Sequence, residues 1–314
     1  MSFEQLMAHA REIQRRAIEE EIKIFRQEAA KQEGSTGASV EVVVQQIRPE
    51  IEKRYSDVPS LFQPFADMPE PQAFDGLINE LGQALNKLSS GETPKDPING
   101  TIYPANPVLN ELSGAESYIE NWTGQAAQQF KSEFIDPFPS IVSNQFIVAT
   151  VLKAALEAEK EIWVTARNDI DKIAHDVLEA LDRMHDCGKN EWTMTFTVIA
   201  SVAAIAAVPV TGGASLAITA VGAASQVVAA AAPEDPPKIQ FSGETPGPII
   251  SQMREAIKKE IELIGQAEQK IADAMKGAGS VVSGNMSLFV AKEPALAGAD
   301  TSNITSPEYM GYSR

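Results

Sequence analysis

The chain has 314 residues, of which 44% are apolar; 43 acidic side chains stand against 26 basic ones, for a net charge of −17. That balance argues against nucleic acid as a partner, and it leaves any contact with anionic lipid to be driven by apolar residues. Cys187 is the only cysteine, so no intramolecular disulfide supports the fold, and the opening MSFEQLMAHAREIQRRAIEEE has none of the apolar run of a Sec-type signal peptide.

Residues 3–33 predict an amphipathic helix. Phe3, Leu6, Ala10, Ile13, Ala17, Ile18, Ile22 and Phe25 recur on one face, and Gly34-Ser35-Thr36-Gly37 stops it. Val40–Tyr55 sets the strand-forming Val42, Val43, Val44 and Ile47 before a helical IEKRY, and helix is the preferred reading. Residues 56–71 hold Pro59, Pro64, Pro69 and Pro71 and read as a linker, with Leu61, Phe62 and Phe65 as anchors on the body. Phe74–Leu88 reads as a short helix with Phe74, Leu77, Ile78, Leu81, Leu85 and Leu88 on one face, and Ser89–Pro107 as a loop. Val108–Phe134 is helical on either side of Trp122-Thr123-Gly124, after which Pro137 and Pro139 interrupt. From Ser140 to Cys187 no helix breaker occurs. Ile141, Val148, Leu152, Ala155, Ile162, Ala166, Ile170, Ile173, Val177, Leu181 and Met184 recur at three, four or seven. This predicts a helix of about 48 residues, roughly 70 Å long, with the spacing of a coiled-coil-like partner.

The stretch Trp192–Pro233 contains no charged residue. Two apolar arms, Thr193–Val208 and Ala214–Ala232, flank a break at Pro209-Val210-Thr211-Gly212-Gly213. Pro209 cannot continue a helical ladder, and Gly212 and Gly213 permit positive φ, so a helical hairpin is expected. Its arms have 16 and 19 residues, against the roughly 20 of a membrane span. Small residues at spacing four (Ala203 and Ala207, Ala220 and Ala224) suit close helix approach in lipid or in a tight soluble core. Three readings stay open: a buried hairpin of a soluble bundle, two permanent spans, or a hairpin buried first and inserted later. On the last two, the membrane-contact candidates are Val198, Ile199, Val202, Ile205, Leu216, Ile218, Val221, Val227 and Val228. Beyond the hairpin, Glu234–Pro248 is a proline-rich linker. Ile249–Met275 carries the stripe Ile250, Met253, Ile257, Ile261, Ile264, Ala267, Ile271 and Met275, and Gly277–Arg314 reads as a flexible tail.

No catalytic or metal constellation emerges. The histidines are His9, His175 and His185; His185-Asp186-Cys187 has no second cluster to complete a zinc site. Gly212–Gly213 lacks the Lys and Ser/Thr of a phosphate loop. Carboxylates such as Glu157 and Glu161 fall beside Lys153 and Lys160, as on solvated helix faces. A non-enzyme without cofactor or metal is expected.

Residues 115–134, AESYIENWTGQAAQQFKSEF, carry Trp122, Gly124, Ala126, Ala127 and Phe130 in an order that resembles the W-x-G family of helical-hairpin proteins exported by type VII (ESX) secretion systems. The resemblance covers about residues 115–190. It implies that Trp122 and Gly124 form a turn between antiparallel helices, with Trp122 plugging the hairpin end. It also implies export by a non-Sec route from the cytoplasm to the cell surface or beyond. No tyrosine is followed by an acid four residues on, as the family's export signal requires; His175, Glu179 and His185 come near a related signal, one residue out of register. The succession of long helix, uncharged hairpin and long return helix is also similar in plan to the helical pore-forming toxins, whose hairpin inserts into lipid.

The expected fold is therefore all-α: an elongated bundle of long antiparallel helices with a central apolar helical hairpin. Its expected segments are 1–56, 57–107, 108–192, 193–232, 233–276 and 277–314. The expected function is that of a type VII secretion substrate or associated component, or of a membrane-permeabilising protein. Its partners would be a protein or a second copy engaged through the long helices, and a lipid bilayer.

Overall fold

The computed structural model describes residues 3–31, 37–90, 95–96, 100–118, 121–184, 192–197, 237–293, 298–303 and 305–306. The described chain is mostly helical, with one two-stranded sheet. It divides into two units, each discontinuous in sequence. The first draws on the described parts of 1–73, 160–201 and 233–268, the second on those of 74–159 and 269–314.

In the first unit, α1 (Leu6–Ala30) follows a 3-10 turn at Phe3–Gln5. Its buried residues Leu6, Ala10, Ile13, Ala17 and Ile22 are the predicted stripe, and they pack on α2 (Gly37–Arg54) and α3 (Val58–Ala66). The valine run is helical: Val44 is buried, and Val42 and Val43 are exposed. Residues 58–66 are not a linker. Pro59 sits in the first turn of α3, where its missing N–H leaves nothing unsatisfied, and burial of Val58, Phe62 and Phe65 outweighs the bond lost at Pro64. The anchors Phe62 and Phe65 are thus core residues. Arg254 fixes the start of this helix. It donates to both carboxylate oxygens of Asp57 (2.9 and 3.0 Å) and to the Arg54 carbonyl (3.0 Å).

In the second unit, α4 (Asp75–Leu88) buries Leu85, whereas Leu77 of the predicted stripe is exposed. The described part of the following loop is tied down by a bridge between Lys95 and Ile102 and by the buried Ser89 hydroxyl, which donates to the Tyr103 carbonyl (2.9 Å). Tyr103 meets Phe146 edge-on, ring centres 5.8 Å apart, in a cluster with Leu85, Ile147, Val151 and Ala278. Three short helices follow: α5 (Pro107–Ser113), α6 (Ala115–Tyr118) and α7 (Gln125–Phe130), the last running into a π-helical turn at Lys131–Ile135.

The long helix α8 (Phe138–Arg183) has 46 residues and belongs to both units, as does α9 (Pro246–Gly284), which has 39. Pro139 does not interrupt α8. It lies in the first turn, where proline is tolerated. One helical run among the described residues, Ala127–Arg183, is long and apolar enough to cross a membrane, with a window of mean hydropathy 1.3; 67% of that window is buried, as in the core helix of a soluble fold. The predicted tail is partly ordered. Helix α9 extends to Gly284, and Asn144 and Gln145 donate to the carbonyls of Leu288 (2.8 Å) and Phe289 (2.6 Å).

Candidate functional site

The uncharged stretch opens on the first strand of a pair, and the second strand begins five residues past its end at Pro233. β1 (Trp192–Thr195) pairs antiparallel with β2 (Lys238–Phe241), with Trp192 opposite Phe241 and Thr195 opposite Lys238. Alternation explains both strands: Met194, Phe196 and Phe241 are buried, whereas Thr193, Lys238 and Gln240 face solvent. The Phe196 N–H continues the ladder to the Pro237 carbonyl (3.1 Å). Two expectations are corrected here. The first apolar arm opens as a strand, because Trp-Thr-Met-Thr alternates, and the proline-rich linker contains another, because Lys-Ile-Gln-Phe does. The chain therefore leaves at Thr197 and returns at Pro237 side by side.

Side chains of the long helices hold this root. The Trp192 indole N–H donates to Glu179 (2.9 Å). Asp169 takes two bonds from Thr197, the backbone N–H at 2.7 Å and the hydroxyl at 3.0 Å. The Ser242 N–H donates to the Gln252 side-chain oxygen (2.8 Å). Asp169 is itself buried, so its charge is met by donors rather than by water.

Glu260 of α9 is fully buried, and neither of its carboxylate oxygens has a hydrogen-bond partner. Burial, with the Asp169 carboxylate nearby, pushes its pKa up to about 9. It is accordingly a neutral carboxylic acid at pH 7. The expected placement of carboxylates on solvated faces fails here and at Asp169 and Asp176, all buried. At Glu157, whose side chain is partly exposed, the expected partner is present: Lys153 bonds it at 2.5 Å. The predicted α9 stripe placed Ile261 inward, but Ile261 is 50% exposed and Glu260 takes the core position. The spacing admits either residue between Ile257 and Ile264. Only the assumption that charge faces water chose the wrong one.

The Trp-Thr-Gly step lies between α6 and α7. Gly124 caps α7 with φ +105 and ψ 173, a conformation open to glycine. Residues of α6 pack against Lys131–Ile135, so the chain doubles back across the step. Trp122 does not plug a closed end: it is 42% exposed. Its ring leans on Phe130 (5.6 Å), which stacks on Phe134 (5.3 Å), which meets Phe138 (6.1 Å). The signal for this aromatic ladder was in the sequence, as Phe residues at 130, 134 and 138.

Comparison with family models, with curated proteins and with solved structures finds no match.

Of the remaining candidates, Pro209, Gly212 and Gly213 of the hairpin turn and the nine apolar residues from Val198 to Val228 lie outside the described residues, as do His185 and Cys187. His175 lies 3.5 Å from Glu179, and His9 lies 3.9 Å from Asp171. Among the described residues no group of three or more His, Cys, Asp or Glu could hold a metal ion.

Proposed function

We propose that this is a non-enzymatic helical protein that permeabilises lipid bilayers, with the part of the uncharged segment beyond Thr197, up to Ala232, as its lipid-contacting element. One observation carries the reading. The segment leaves and re-enters the fold at a single strand-paired root, held by Asp169 and Glu179, as a hairpin presented from one place requires. The absence of any charge between Glu191 and Glu234 supplies the chemistry, since apolar area is what the bilayer core rewards. The test uses full-length protein purified without detergent, shown to be monodisperse by sedimentation, and dye-loaded liposomes across pH 4.5–7.5. Dye release is expected, rising toward acid as the net charge of −17 falls. Ala204→Asp with Val221→Asp should abolish release while the far-UV helical signal remains. Release that survives both charges, or a monodisperse protein inert at every pH, overturns the reading.

A second reading is favoured by the chain reversal at Trp122–Gly124. We propose that the protein reaches its target as a type VII secretion substrate, exported from the cytoplasm and assembled with a partner or a second copy through its long helices. Export from a host with a working type VII apparatus, and none from the same host without it, is the expected result. Equal export from both hosts, or none from either, removes this reading and leaves the lipid reading standing.

A further inference from the structure

A groove of about 590 Å³ runs between α1 and α2 within the first unit. Arg11 and Arg15 line it from one helix, and Arg48 and Lys53 from the other, against the carboxylates Glu19 and Glu52. On a chain of net charge −17 this is an inversion of sign. Arg11 and Arg15 stand one helical turn apart, a spacing at which like charges destabilise a helix.

These cations are not equally occupied. Arg15 is spoken for. Its guanidinium bonds Glu12 through Nε (2.9 Å) and Glu19 through Nη1 (2.6 Å), and hydrogen bonds from Arg15 and then Arg16 hold the Glu12 carboxyl down to about 2. Arg48 reaches Glu52 only at 3.4 Å, with both side chains half exposed. The Arg11 guanidinium and the Lys53 ammonium have no hydrogen bond or ion pair among the described residues; the Lys53 carbonyl accepts from the Ser56 hydroxyl (2.8 Å). Two positive charges thus line one groove without an ion-pair partner of their own, while its carboxylates, Glu19 and Glu52, lie against Arg15 and Arg48. Gln14 adds an amide and Ile18 an apolar patch to the same wall.

We propose that this groove binds a phosphate monoester, with Arg11 and Lys53 as its two principal ligands. A monoester carries about −1.5 to −2 at pH 7, which two unneutralised cations match. The Arg11 fork can take two phosphate oxygens side by side, and the Lys53 ammonium supplies a point charge opposite. The volume suits a phosphorylated small molecule or the headgroup of a lipid. The site is independent of the uncharged segment and of the lipid reading above.

The test uses the full chain at low ionic strength with two probes. Inorganic phosphate is titrated by calorimetry. Phosphatidylcholine vesicles containing either phosphatidic acid, a monoester, or phosphatidylglycerol, a diester, are assayed by flotation. Binding to inorganic phosphate or to phosphatidic acid is expected, since both present a terminal phosphate dianion. Phosphate in solution identifies a free ligand, and retention on phosphatidic acid alone identifies a headgroup. Arg11→Gln and Lys53→Gln should each weaken that binding about tenfold. Lys276→Gln, an equal charge change on α9 in the other unit, should leave it within about twofold. Arg11→Lys keeps the charge and should fall between Arg11→Gln and the parent. Far-UV spectra that match the parent show that the variants fold. The proposal is overturned if neither inorganic phosphate nor phosphatidic acid binds. It is also overturned if Lys276→Gln weakens binding as much as the groove variants, or if phosphatidylglycerol holds the protein as well as phosphatidic acid does.

Discussion

The stripe of α9 and the Trp-Thr-Gly step invert each other. On α9 a glutamate occupies a core position between Ile257 and Ile264, fully buried and without a partner, while Ile261 beside it faces solvent. At the step, the largest aromatic side chain of the motif stands 42% exposed, and Gly124, two residues on, adopts a conformation open to glycine that other residues avoid. In the first region the fold carries a polar group where apolar burial was expected. In the second it carries an apolar group where the surface begins. The first costs stability through desolvation, and the second costs little because water is never fully excluded. Buried polarity and surface apolarity are therefore not equivalent departures from pattern, and substitutions should separate them.

The largest effect is expected at Glu260. Its pKa is about 9 in the fold against 4.5 for the free side chain. Between those pH values the native state holds a proton that the unfolded chain has lost. Stability therefore falls as pH rises through that window and is fully present only below it. At about 1.4 kcal/mol per pH unit, the group costs roughly 3 kcal/mol at pH 7. Glu260→Met, which keeps the volume and removes the charge, should recover about that much in urea unfolding and flatten the slope between pH 5 and 9. An unchanged slope would show that Glu260 is ionised and solvated in the native protein. Asp169 comes next. Asp169→Ala leaves the Thr197 N–H and hydroxyl without their acceptor, a loss of about 2 kcal/mol. Amide exchange at Thr197 should accelerate with it, and protection that persists would mean that the strand pair holds the root by itself.

Much of the helical plan was legible in the sequence because burial repeats at the helical period. Leu6, Ala10, Ile13 and Ala17 on α1, and Ile162, Ala166, Ile170 and Ile173 on α8, are buried as their spacing required. What escaped was local chemistry that runs against a residue's average habit. Pro59 and Pro64 suggested a linker, yet a first-turn proline is compatible with a helix and the Phe62–Phe65 face needed a place to go. Lys-Ile-Gln-Phe at 238–241 is too short to announce a strand until Trp192–Thr195 offers a partner some 46 residues earlier by register. Asp169 and Thr197 are an ordinary carboxylate and an ordinary threonine until the fold sets them 2.7 Å apart. Long-range pairing of this kind leaves no periodic trace, so the root of the uncharged segment was invisible even though the segment itself was its most legible feature.

The smallest effects belong to the second region, and they test whether its departure from pattern is structural. Gly124 has open space where a Cβ would sit, so Gly124→Ala meets no steric neighbour and costs only the strain of its backbone, about 1–2 kcal/mol. Trp122→Ala removes one half-exposed ring contact to Phe130, and the loss of stability should stay below about 1 kcal/mol. The order matters more than either value. If the step exists to turn the chain, the glycine must cost more than the tryptophan, and the unfolding midpoint should rank them so. A Trp122→Ala variant less stable than Gly124→Ala would mean that the aromatic ladder, and not the turn, organises residues 115–138. If stability is nearly unchanged in Trp122→Ala, the exposed ring is left free for a role outside the fold, and export by a type VII apparatus is where its loss should then be read.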